Sequence, residues 1–485
     1  MPFVDILLPP PDSALGIKHY AFVIVGASTT AYAAIEAILQ HEPTADILVL
    51  SDDVHLPRVD HKHDSEDSDT SPSSDGDEAA SRLIMSNTLF DTFNEWRRSI
   101  TPWLEVDVAT PPNVVTLATG KHPVRVDVEA KLIALDDGSM IAFDKCLIAT
   151  AGKPRPLYVL DSSRLSYALD DCINTTASRS DFEALHRLSP AIKSVSIIGG
   201  GFLATELAVA LAAAQPNRQV ELLFVTMPGP CAHELPSYLS VELKRRLESL
   251  GNAHVKPGTL VTSVKTNSNV DRRSSNDSPR HRLCLLAPTH IDPTVHGVVA
   301  ASLEVDPQNG GIVVNAQLDA LADIFVAGSA ASYFDEFVGR RRVDRYDHAV
   351  NSGLLAGYNI AAPTGTKKVY RHQPMFRSNM NWTGVTCEGV GVIDASLRTV
   401  GVWLRPSRSS AKPYERGIVY YLRGNKIVGM LLRNAEDMLE KAKIVMATKP
   451  TVASVADVPK VISLGPDEWL HIETTEGLQI HAHQN

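Results

Sequence analysis

The sequence predicts an α/β fold built from two strand–turn–helix units and followed by a C-terminal α+β domain. Two stretches, "AFVIVGASTTAYAAIEAIL" (21–39) and "SVSIIGGGFLATELAVALAAA" (194–214), each combine an apolar strand, a glycine-containing turn and a helical pattern. The part from about 370 to 446 is rich in predicted strands and closes with a helical pattern. A chain of 485 residues has room for two or three domains.

The first unit carries an altered phosphate-binding turn. An apolar run and a helical pattern (19–40) precede a second strand (46–53), which makes a β-α-β unit of a parallel sheet. In its turn, "GASTTA", Gly26 is kept but Ser28 stands where a dinucleotide-binding turn has its middle glycine. The serine Cβ crowds a phosphate, although its hydroxyl can donate a hydrogen bond to it. Asp52 ends the second strand, where a ribose ligand is expected.

An acidic, serine-rich stretch follows this unit. Because "HKHDSEDSDTSPSSDGDE" (61–78) contains no apolar residue, we expect a disordered loop over 61–80. His61 and His63 suggest a metal site as an alternative, but a solvated loop is more typical of this composition, and we predict no metal. Segments 113–150 alternate with turn signals and predict a β-meander with a hairpin turn at Asp137-Gly138.

The second unit carries an intact turn. Gly199-x-Gly201-x-x-Ala204 lies between a strand and a helix, where two glycines permit a tight turn and close approach of a pyrophosphate to the helix N-terminus. No acid ends the following strand (219–228), so the sequence does not encode a preference between NAD and NADP. Two such units about 170 residues apart indicate a protein in which one unit holds FAD and the other brings NADH to it.

Composition excludes several classes of protein. The formal charge of −10 argues against a nucleic-acid-binding surface, and we interpret the arginines of 339–345 as a solvated loop. The five cysteines form no C-x-x-C pair, which argues against a dithiol centre or a zinc ribbon. There is no apolar run of membrane-spanning length. Residues 1–20 resemble neither a secretory signal nor a transit peptide, so we expect a protein that is not imported or a chain that starts after a leader.

Several longer motifs resemble one family. "KSVSIIGGGFLATELA", "DKCLIATAGKPRP", "IFVAGSAASYFDEFVGRRRVDRYDHAVNSGLLAGYNI" and "HQPMFRSN" resemble the mitochondrial apoptosis-inducing factor family, and "RGIVYYLRGNKIVGMLLRN" resembles its C-terminal domain. The similarity covers roughly 110–450 with the motifs in order.

The resemblance implies a glutathione-reductase-like architecture of three domains. A discontinuous FAD-binding domain would comprise 18–152 and 302–372, an NADH-binding domain 153–301, and a C-terminal domain 373–485. The implied function is FAD-dependent NADH oxidation, with roles in respiratory-chain maintenance and caspase-independent cell death. The resemblance further implies a homodimer, an import or assembly partner, and the mitochondrial intermembrane space. Because no transit peptide is visible, the cytoplasm is the alternative location.

The resemblance also assigns cofactor contacts position by position. Those implied for FAD are Gly26, Ala27, Ser28, Thr29, Thr30, Asp52, Asp53, Val124, Gly328 and Ser329, with Arg345, Tyr346 and Arg377 beside the flavin. Those implied for NADH are Gly200, Gly201, Phe202, Leu203 and Glu206, followed by Asp344, Glu388 and Asn434. The Phe202 ring would stack on nicotinamide, or simply pack in the core. Hydride transfer between rings needs no acid or base, so we predict no catalytic side chain, and His348 is expected to make a structural hydrogen bond.

The departures from the family pattern cluster on FAD contacts. Ser28 replaces a glycine, Ser329 an aspartate that holds the ribityl chain, and Arg377 a tryptophan next to the flavin. Asp60 and Ser65 stand where the family has basic residues near the phosphates. These losses support an alternative, a non-catalytic scaffold that keeps the fold for partner binding. A DNA-binding death effector is a third hypothesis, which the net charge disfavours.

Overall fold

The computed structural model describes most of the chain outside its termini and the acidic loop. The described residues are 17–51, 56–57, 100–101, 115–155, 173–175, 185, 192–262, 282–287, 291–294, 303–336, 339–363, 365–380, 383–404, 414–448, 450–466 and 470–476. The predicted loop 61–80 lies outside them, as do Asp52, Asp53, Asp60, Ser65 and most of the stretch 265–282.

Helices and strands follow in chain order. The α-helices are α1 (Thr29–His41), α2 (Phe202–Ala214), α3 (Ser237–Glu248), α4 (Tyr346–Ala361) and α5 (Leu439–Ala447). The strands are β1 (Lys18–Val25), β2 (Ile47–Ser51), β3 (Leu56–Pro57), β4 (Ile100–Thr101), β5 (Val115–Thr119), β6 (Pro123–Asp127), β7 (Leu132–Leu135), β8 (Met140–Ile148), β9 (Gly152–Pro154), β10 (Ile173–Thr175), β11 (Ser194–Ile198), β12 (Gln219–Leu223), β13 (Ala253–Lys256), β14 (Arg282–Leu286), β15 (Ile291–Pro293), β16 (Ile312–Val313), β17 (Asp319–Leu321), β18 (Ile324–Val326), β19 (Ala331–Asp335), β20 (Gly339–Arg341), β21 (Met375–Met380), β22 (Val385–Gly391), β23 (Arg398–Leu404), β24 (Gly417–Arg423), β25 (Lys426–Arg433) and β26 (Leu470–Thr475).

The chain divides into two units. Described residues up to 63, within 99–152 and within 293–372 form the first, and those within 153–292 and from 373 onwards form the second. The second unit therefore combines the segments that the sequence assigns to an NADH-binding and a C-terminal domain. The three domain boundaries stay a prediction.

An eight-stranded sheet is the core of the first unit. Its order is β17-β18-β8-β1-β2-β5, with β7 paired to β8 and β6 to β7. Strand β1 runs parallel to both β2 and β8, and β18 runs parallel to β8, so the carboxyl ends of these strands meet at one edge. The predicted meander is confirmed by the antiparallel pairs β6-β7 and β7-β8, and Gly138 has the positive φ of +82° expected in its hairpin turn.

Helices α1 and α4 pack closely against each other in the first unit. A Cβ at Gly353 would overlap the carbonyl oxygen of Thr30, and one at Gly357 would overlap that of Ala34. Glycine is needed at both positions because the backbones of the two helices approach without side chains between them. On α4, the His348 Nδ1 and the hydroxyl oxygen of Tyr370 lie 2.6 Å apart in the core, which confirms the structural role expected of this histidine.

The second unit contains two sheets. The five-stranded parallel sheet has the order β10-β14-β11-β12-β13, and the six-stranded antiparallel sheet has the order β21-β22-β25-β24-β23-β26. The predicted β-α-β unit is confirmed, since α2 joins the parallel neighbours β11 and β12. The Tyr421 hydroxyl on β24 donates to the carbonyl of Glu234 at 2.6 Å and ties the antiparallel sheet to the segment before α3.

Among the described residues, no helix is long and apolar enough to cross a membrane. Four cysteines fall within these residues as free thiols, of which Cys146, Cys231 and Cys387 are buried and Cys284 is partly buried. Burial raises the pKa of Cys146 to about 12, so this thiol is protonated at neutral pH.

Candidate dinucleotide-binding sites

The first candidate site begins at the turn between β1 and α1. Gly26 has φ of +103°, and its N–H donates to the carbonyl of Leu50 at 2.8 Å. A Cβ at this position would lie 2.8 Å from both the carbonyl oxygen of Ala149 and the Cα of Thr150. The turn therefore requires glycine on two grounds, the positive φ and the close approach to the chain leaving β8.

Ser28 is the N-cap of α1. Its hydroxyl donates to the carbonyl of Ala149 at 2.6 Å and accepts from the N–H of Ala31 at 3.3 Å. Its φ of −102° and ψ of 172° are ordinary extended values, so serine replaces the family's glycine without backbone strain. Because its one proton goes to Ala149 in this structure, the hydrogen bond expected from this hydroxyl to a phosphate stays a prediction.

A hydroxyl at the same strand edge has no partner in the part of the chain that the structure describes. Thr150 follows β8, and its Oγ1 is buried without a hydrogen-bond partner among the described residues. Leaving such a group unpaired costs about 1–3 kcal/mol, which a bound polar ligand would offset. The Thr150 hydroxyl lies at the edge where the carboxyl ends of parallel strands meet, which is where such sheets bind their ligands. The residues at this edge therefore fit a bound dinucleotide.

The turn after β18 brings a carboxylate to the same edge. Gly328 has φ of +66°, its N–H donates to the Ser352 hydroxyl at 2.9 Å, and a Cβ there would overlap the Thr30 hydroxyl. The buried Ser329 hydroxyl donates to the carboxylate of Asp344. Position 329 therefore lacks the carboxylate that the family has there, but its serine is hydrogen-bonded to the carboxylate of Asp344.

Three of the other residues that the resemblance assigns to FAD lie outside the two turns described above. Arg345 is the N-cap of α4 and Tyr346 is its first residue, with a side chain that is more than half exposed. Val124 lies on β6 and is 49% exposed. Their contacts with a cofactor stay predictions. Ala27, Thr29 and Thr30 belong to the turn and the start of α1.

The second candidate site is the turn between β11 and α2. A Cβ at Gly199 would overlap the carbonyl oxygen of Ala287, and one at Gly200 would lie 3.0 Å from the Phe224 side chain. Gly201 is the N-cap of α2 and provides no side-chain hydrogen bond to the first turn of the helix. The partial positive charge of this helix end therefore has no side-chain cap, which suits a pyrophosphate.

Two predicted NADH contacts on α2, Phe202 and Glu206, lie against β21. The rings of Phe202 and Phe376 lie 4.8 Å apart at 45°, while Leu203 is exposed. The Glu206 carboxylate accepts from the Ser378 hydroxyl and from the N–H of Asn379 at 3.3 Å. Burial raises the pKa of Glu206 to about 7, although these two hydrogen bonds oppose the shift. Both protonation states of Glu206 are thus populated near neutral pH.

Two further predicted contacts lie on the antiparallel sheet, and a third, Asn434, directly follows its strand β25. Arg377 and Glu388 are opposite each other on β21 and β22, with 3.5 Å between Nε and Oε1. Asn434 uses its whole amide within the protein: it accepts from the Thr386 N–H and hydroxyl, and donates to two carbonyl groups. We therefore exclude Asn434 from the nucleotide contacts that we propose.

Sequence reasoning missed four residues of these sites. Thr150, Ser352, Phe376 and Ser378 contact the two turns or the residues beside them, although none belongs to a nucleotide-binding motif. Ser378 lies 172 positions from its partner Glu206. All four lie in the longer motifs that resemble the family, within "ATAG", "NSGLLAG" and "MFRSN", so the only signal for them was family resemblance rather than a local pattern.

Comparison with known proteins gives the same picture over nearly the whole chain. A family model described as pyridine nucleotide-disulphide oxidoreductase matches residues 20–353, and one described as the C-terminal region of mitochondrion-associated apoptosis-inducing factor matches 356–413. Apoptosis-inducing factor 1 of Dictyostelium discoideum is 31% identical over 93% of this chain and 82% of its own length. A putative counterpart of Drosophila melanogaster is 28% identical over 94% of this chain and 67% of its own.

Solved structures support the fold. The ferredoxin reductase of Rhodopseudomonas palustris superposes with a TM-score of 0.66 at 19% identity, covering 89% of this chain and 95% of that one. A putidaredoxin reductase in complex with putidaredoxin gives a TM-score of 0.66 at 16% identity, covering 92% and 99%.

Proposed function

Because the chain belongs to the apoptosis-inducing factor family and to the pyridine nucleotide-disulphide oxidoreductases, we propose that it oxidises NADH in mitochondria. The class of enzyme is that of the FAD-dependent NAD(P)H oxidoreductases, with FAD and NAD(H) as cofactors. The observation that carries the proposal is the pair of glycine turns, one in each unit, of which each opens a helix at the carboxyl end of a parallel strand.

The first unit would hold FAD at its strand edge. The turn from Gly26 to Thr30 would take the pyrophosphate, and the unpaired hydroxyl of Thr150 would donate to the cofactor. Ser329, backed by the carboxylate of Asp344, would take the place of the family's aspartate at the ribityl chain. Asp52 and Asp53, which lie outside the described residues, would bind the ribose as the sequence predicts.

The second unit would hold NADH at the N-terminus of α2. Gly200 and Gly201 let the pyrophosphate approach the uncapped helix end. Phe202 and Glu206 would border the nicotinamide half from the first two turns of α2. When bound, FAD supplies an acceptor for the hydride of NADH, and the protein contributes placement and electrostatics.

The wider role follows the relatives. Two of them are named as mitochondrial apoptosis-inducing factors, which supports a mitochondrial location and a role in cell death, while the role in respiratory-chain maintenance is proposed from the family resemblance alone. A homodimer and an import or assembly partner complete this proposal. The net charge of −10 makes DNA an unfavourable partner.

Two observations favour a second candidate, a scaffold without flavin. The Ser28 hydroxyl is used inside the protein, and position 329 lacks its own carboxylate. The missing carboxylate at position 329 removes a contact worth about 1–2 kcal/mol to a bound cofactor, and the Ser28 hydroxyl accepts from the Ala31 N–H, which is then less available to a phosphate.

The visible spectrum of the purified protein distinguishes the two candidates. The oxidoreductase is expected to be yellow, with about one flavin per chain, and to bleach when NADH is added without oxygen. Thr150→Val should lower flavin occupancy while Thr366→Val, at an exposed threonine, should not. Colourless protein that stays colourless after incubation with excess FAD would leave only the scaffold.

A further inference from the structure

A buried arginine of the antiparallel sheet belongs to neither candidate site. Arg433 ends β25 in register with Cys387 on β22 and Gly417 on β24, and it is only 1% exposed. Its Nε and Nη2 find no hydrogen-bond acceptor within the described part of the chain. Guanidinium groups stay charged in proteins, and buried charges normally have a partner.

The neighbouring carboxylates are already bound to other arginines. Glu242 on α3 accepts from Arg246 Nε at 2.8 Å and from Arg245 Nε at 2.7 Å, and Glu415 accepts from Arg246 Nη2 at 3.0 Å. These two acids act electrostatically on Arg433 but do not contact it. Since the hydrogen bonds of both carboxylates go to Arg245 and Arg246, the buried guanidinium of Arg433 is a surplus charge without a direct counter-ion among the described residues.

The sulfur nearest along the sheet does not supply the missing charge. Cys387 stands opposite Arg433 on β22 and is fully buried. Burial raises the pKa of this thiol to about 11, in spite of the attraction of Arg433, so it is neutral at physiological pH. It can donate a weak hydrogen bond but cannot act as a counter-ion.

More donors lie on the same face of the sheet. Trp403 on β23 is in register with Gly417, and its indole ring fills the space above that glycine. The Trp403 Nε1–H and the Tyr238 hydroxyl both lie against Gly401, where they face each other, and neither has another hydrogen-bond partner among the described residues. The surroundings of Arg433 are therefore rich in donors and poor in acceptors.

We propose that a small inorganic anion of the halide class, such as chloride, binds to the Nε and Nη2 of Arg433 between α3 and the antiparallel sheet. A single-atom anion can accept from both N–H groups of this edge and cancels the surplus charge. The indole packed over Gly417 restricts the room for a larger oxyanion. A water molecule would satisfy the donors but would leave the charge uncompensated.

Replacement of gluconate by chloride tests the site in the full-length, flavin-loaded protein at constant ionic strength. An anion that binds only the folded state raises Tm, and we expect a saturable increase of roughly 2 °C or more. Constant ionic strength removes general screening as a cause. A linear or absent response would overturn the proposal.

Two variants make the test specific. Arg433→Met should abolish the chloride response and melt no lower than the unmodified protein in gluconate, because the buried charge is gone. Arg398→Met, at an exposed arginine of β23, should keep the full response. Equal chloride responses in all three proteins would contradict the proposal.

Crystals grown in bromide give a readout that does not depend on any variant. We expect an anomalous scattering peak within hydrogen-bond distance of the Arg433 Nε and Nη2. Density for water without anomalous signal at that position would overturn the proposal, even if chloride raises Tm through another site.

Discussion

The two nucleotide turns share a backbone pattern but differ in what caps the helix. In the first unit, Ser28 donates to Ala149 and accepts from the first turn of α1. In the second, Gly201 occupies the same place and leaves the first turn of α2 without a side-chain cap. The comparison teaches that one substitution can convert a helix N-terminus from a site for anions into one that is partly satisfied by its own protein.

The difference continues one turn further along each helix. Ala33 on α1 corresponds to Glu206 on α2. The first is covered by α4, since a Cβ at Gly353 would lie 3.0 Å from that of Ala33. The second faces Ser378 of β21. The turn thus determines where a phosphate could bind. The element packed against the helix, α4 or β21, determines whether a small residue such as Ala33 or a titratable one such as Glu206 fits on the first turns.

The largest expected effect breaks the first turn itself. Gly26→Ala places a Cβ 2.8 Å from backbone atoms at a φ of +103°, and we expect a loss of about 3 kcal/mol in unfolding free energy. Urea denaturation measures it. The control is Gly120→Ala, at φ of +65° in open space, which should cost about 1 kcal/mol. Similar losses for the two variants would show that the turn tolerates a side chain.

The second prediction concerns Glu206, the titratable residue of the intact turn. Its pKa of about 7 exceeds the ordinary value of 4.5, so the native state binds more protons between these pH values. The unfolding free energy should therefore fall as pH rises through this window and stay low above it. Glu206→Gln should remove this decline, a gain on the order of 2 kcal/mol at pH 8 and none at pH 4.

The control for this prediction is an exposed acid of the same unit. Glu440→Gln on α5 removes one carboxylate from an exposed position and serves as the matched comparison. Thermal melts from pH 4 to 9 provide the comparison. If Glu206→Gln and the unmodified protein keep parallel profiles, the carboxylate does not titrate in this range.

A third prediction makes the second turn resemble the first. Gly201 has φ of −88° and ψ of −174°, which serine adopts without strain. Gly201→Ser should stabilise the protein by about 0.5 kcal/mol and weaken NADH binding roughly tenfold, because the new hydroxyl competes for the helix N–H groups. Calorimetric titration measures the affinity. Gly201→Ala separates the effect of added bulk from that of capping.

The smallest expected effect comes from the reverse exchange. Ser28→Gly frees the N–H of Ala31 and should lower the Kd for FAD by about threefold, at a stability cost below about 1 kcal/mol. Flavin fluorescence follows the release of FAD. Ser28→Ala, which keeps the Cβ, should show a larger stability loss. A higher Kd for FAD in Ser28→Gly would mean that the turn capped by serine binds FAD more tightly than the uncapped turn.

Local features of the fold could be predicted from the sequence. The strand–turn–helix units, the meander and the hairpin at Gly138 depend on residues that are close along the chain. The same holds for the glycines at 26, 199 and 201, which the sequence places in turns between a strand and a helix and which the structure has there. Each of these follows from the periodicity of side chains or from backbone sterics.

The use of individual polar atoms could not be predicted. The Ser28 hydroxyl finds Ala149 at a separation of 121 residues, and Glu206 finds Ser378 at 172. The family resemblance assigns Asn434 to NADH, yet the oxygen and nitrogen of its amide are already hydrogen-bonded to Thr386 and Gly384. The surplus charge at Arg433 depends on burial and on three strands in register, which no window of sequence contains.

The close contact of α1 and α4 has a consequence for biosynthesis. The glycines at 353 and 357 meet a helix that the ribosome made more than 300 residues earlier, and the intervening chain includes much of the second unit. The first unit therefore cannot close until α4 has emerged from the ribosome. We therefore expect nascent chains halted before α4 to need chaperone protection and to acquire flavin only after translation has passed this helix.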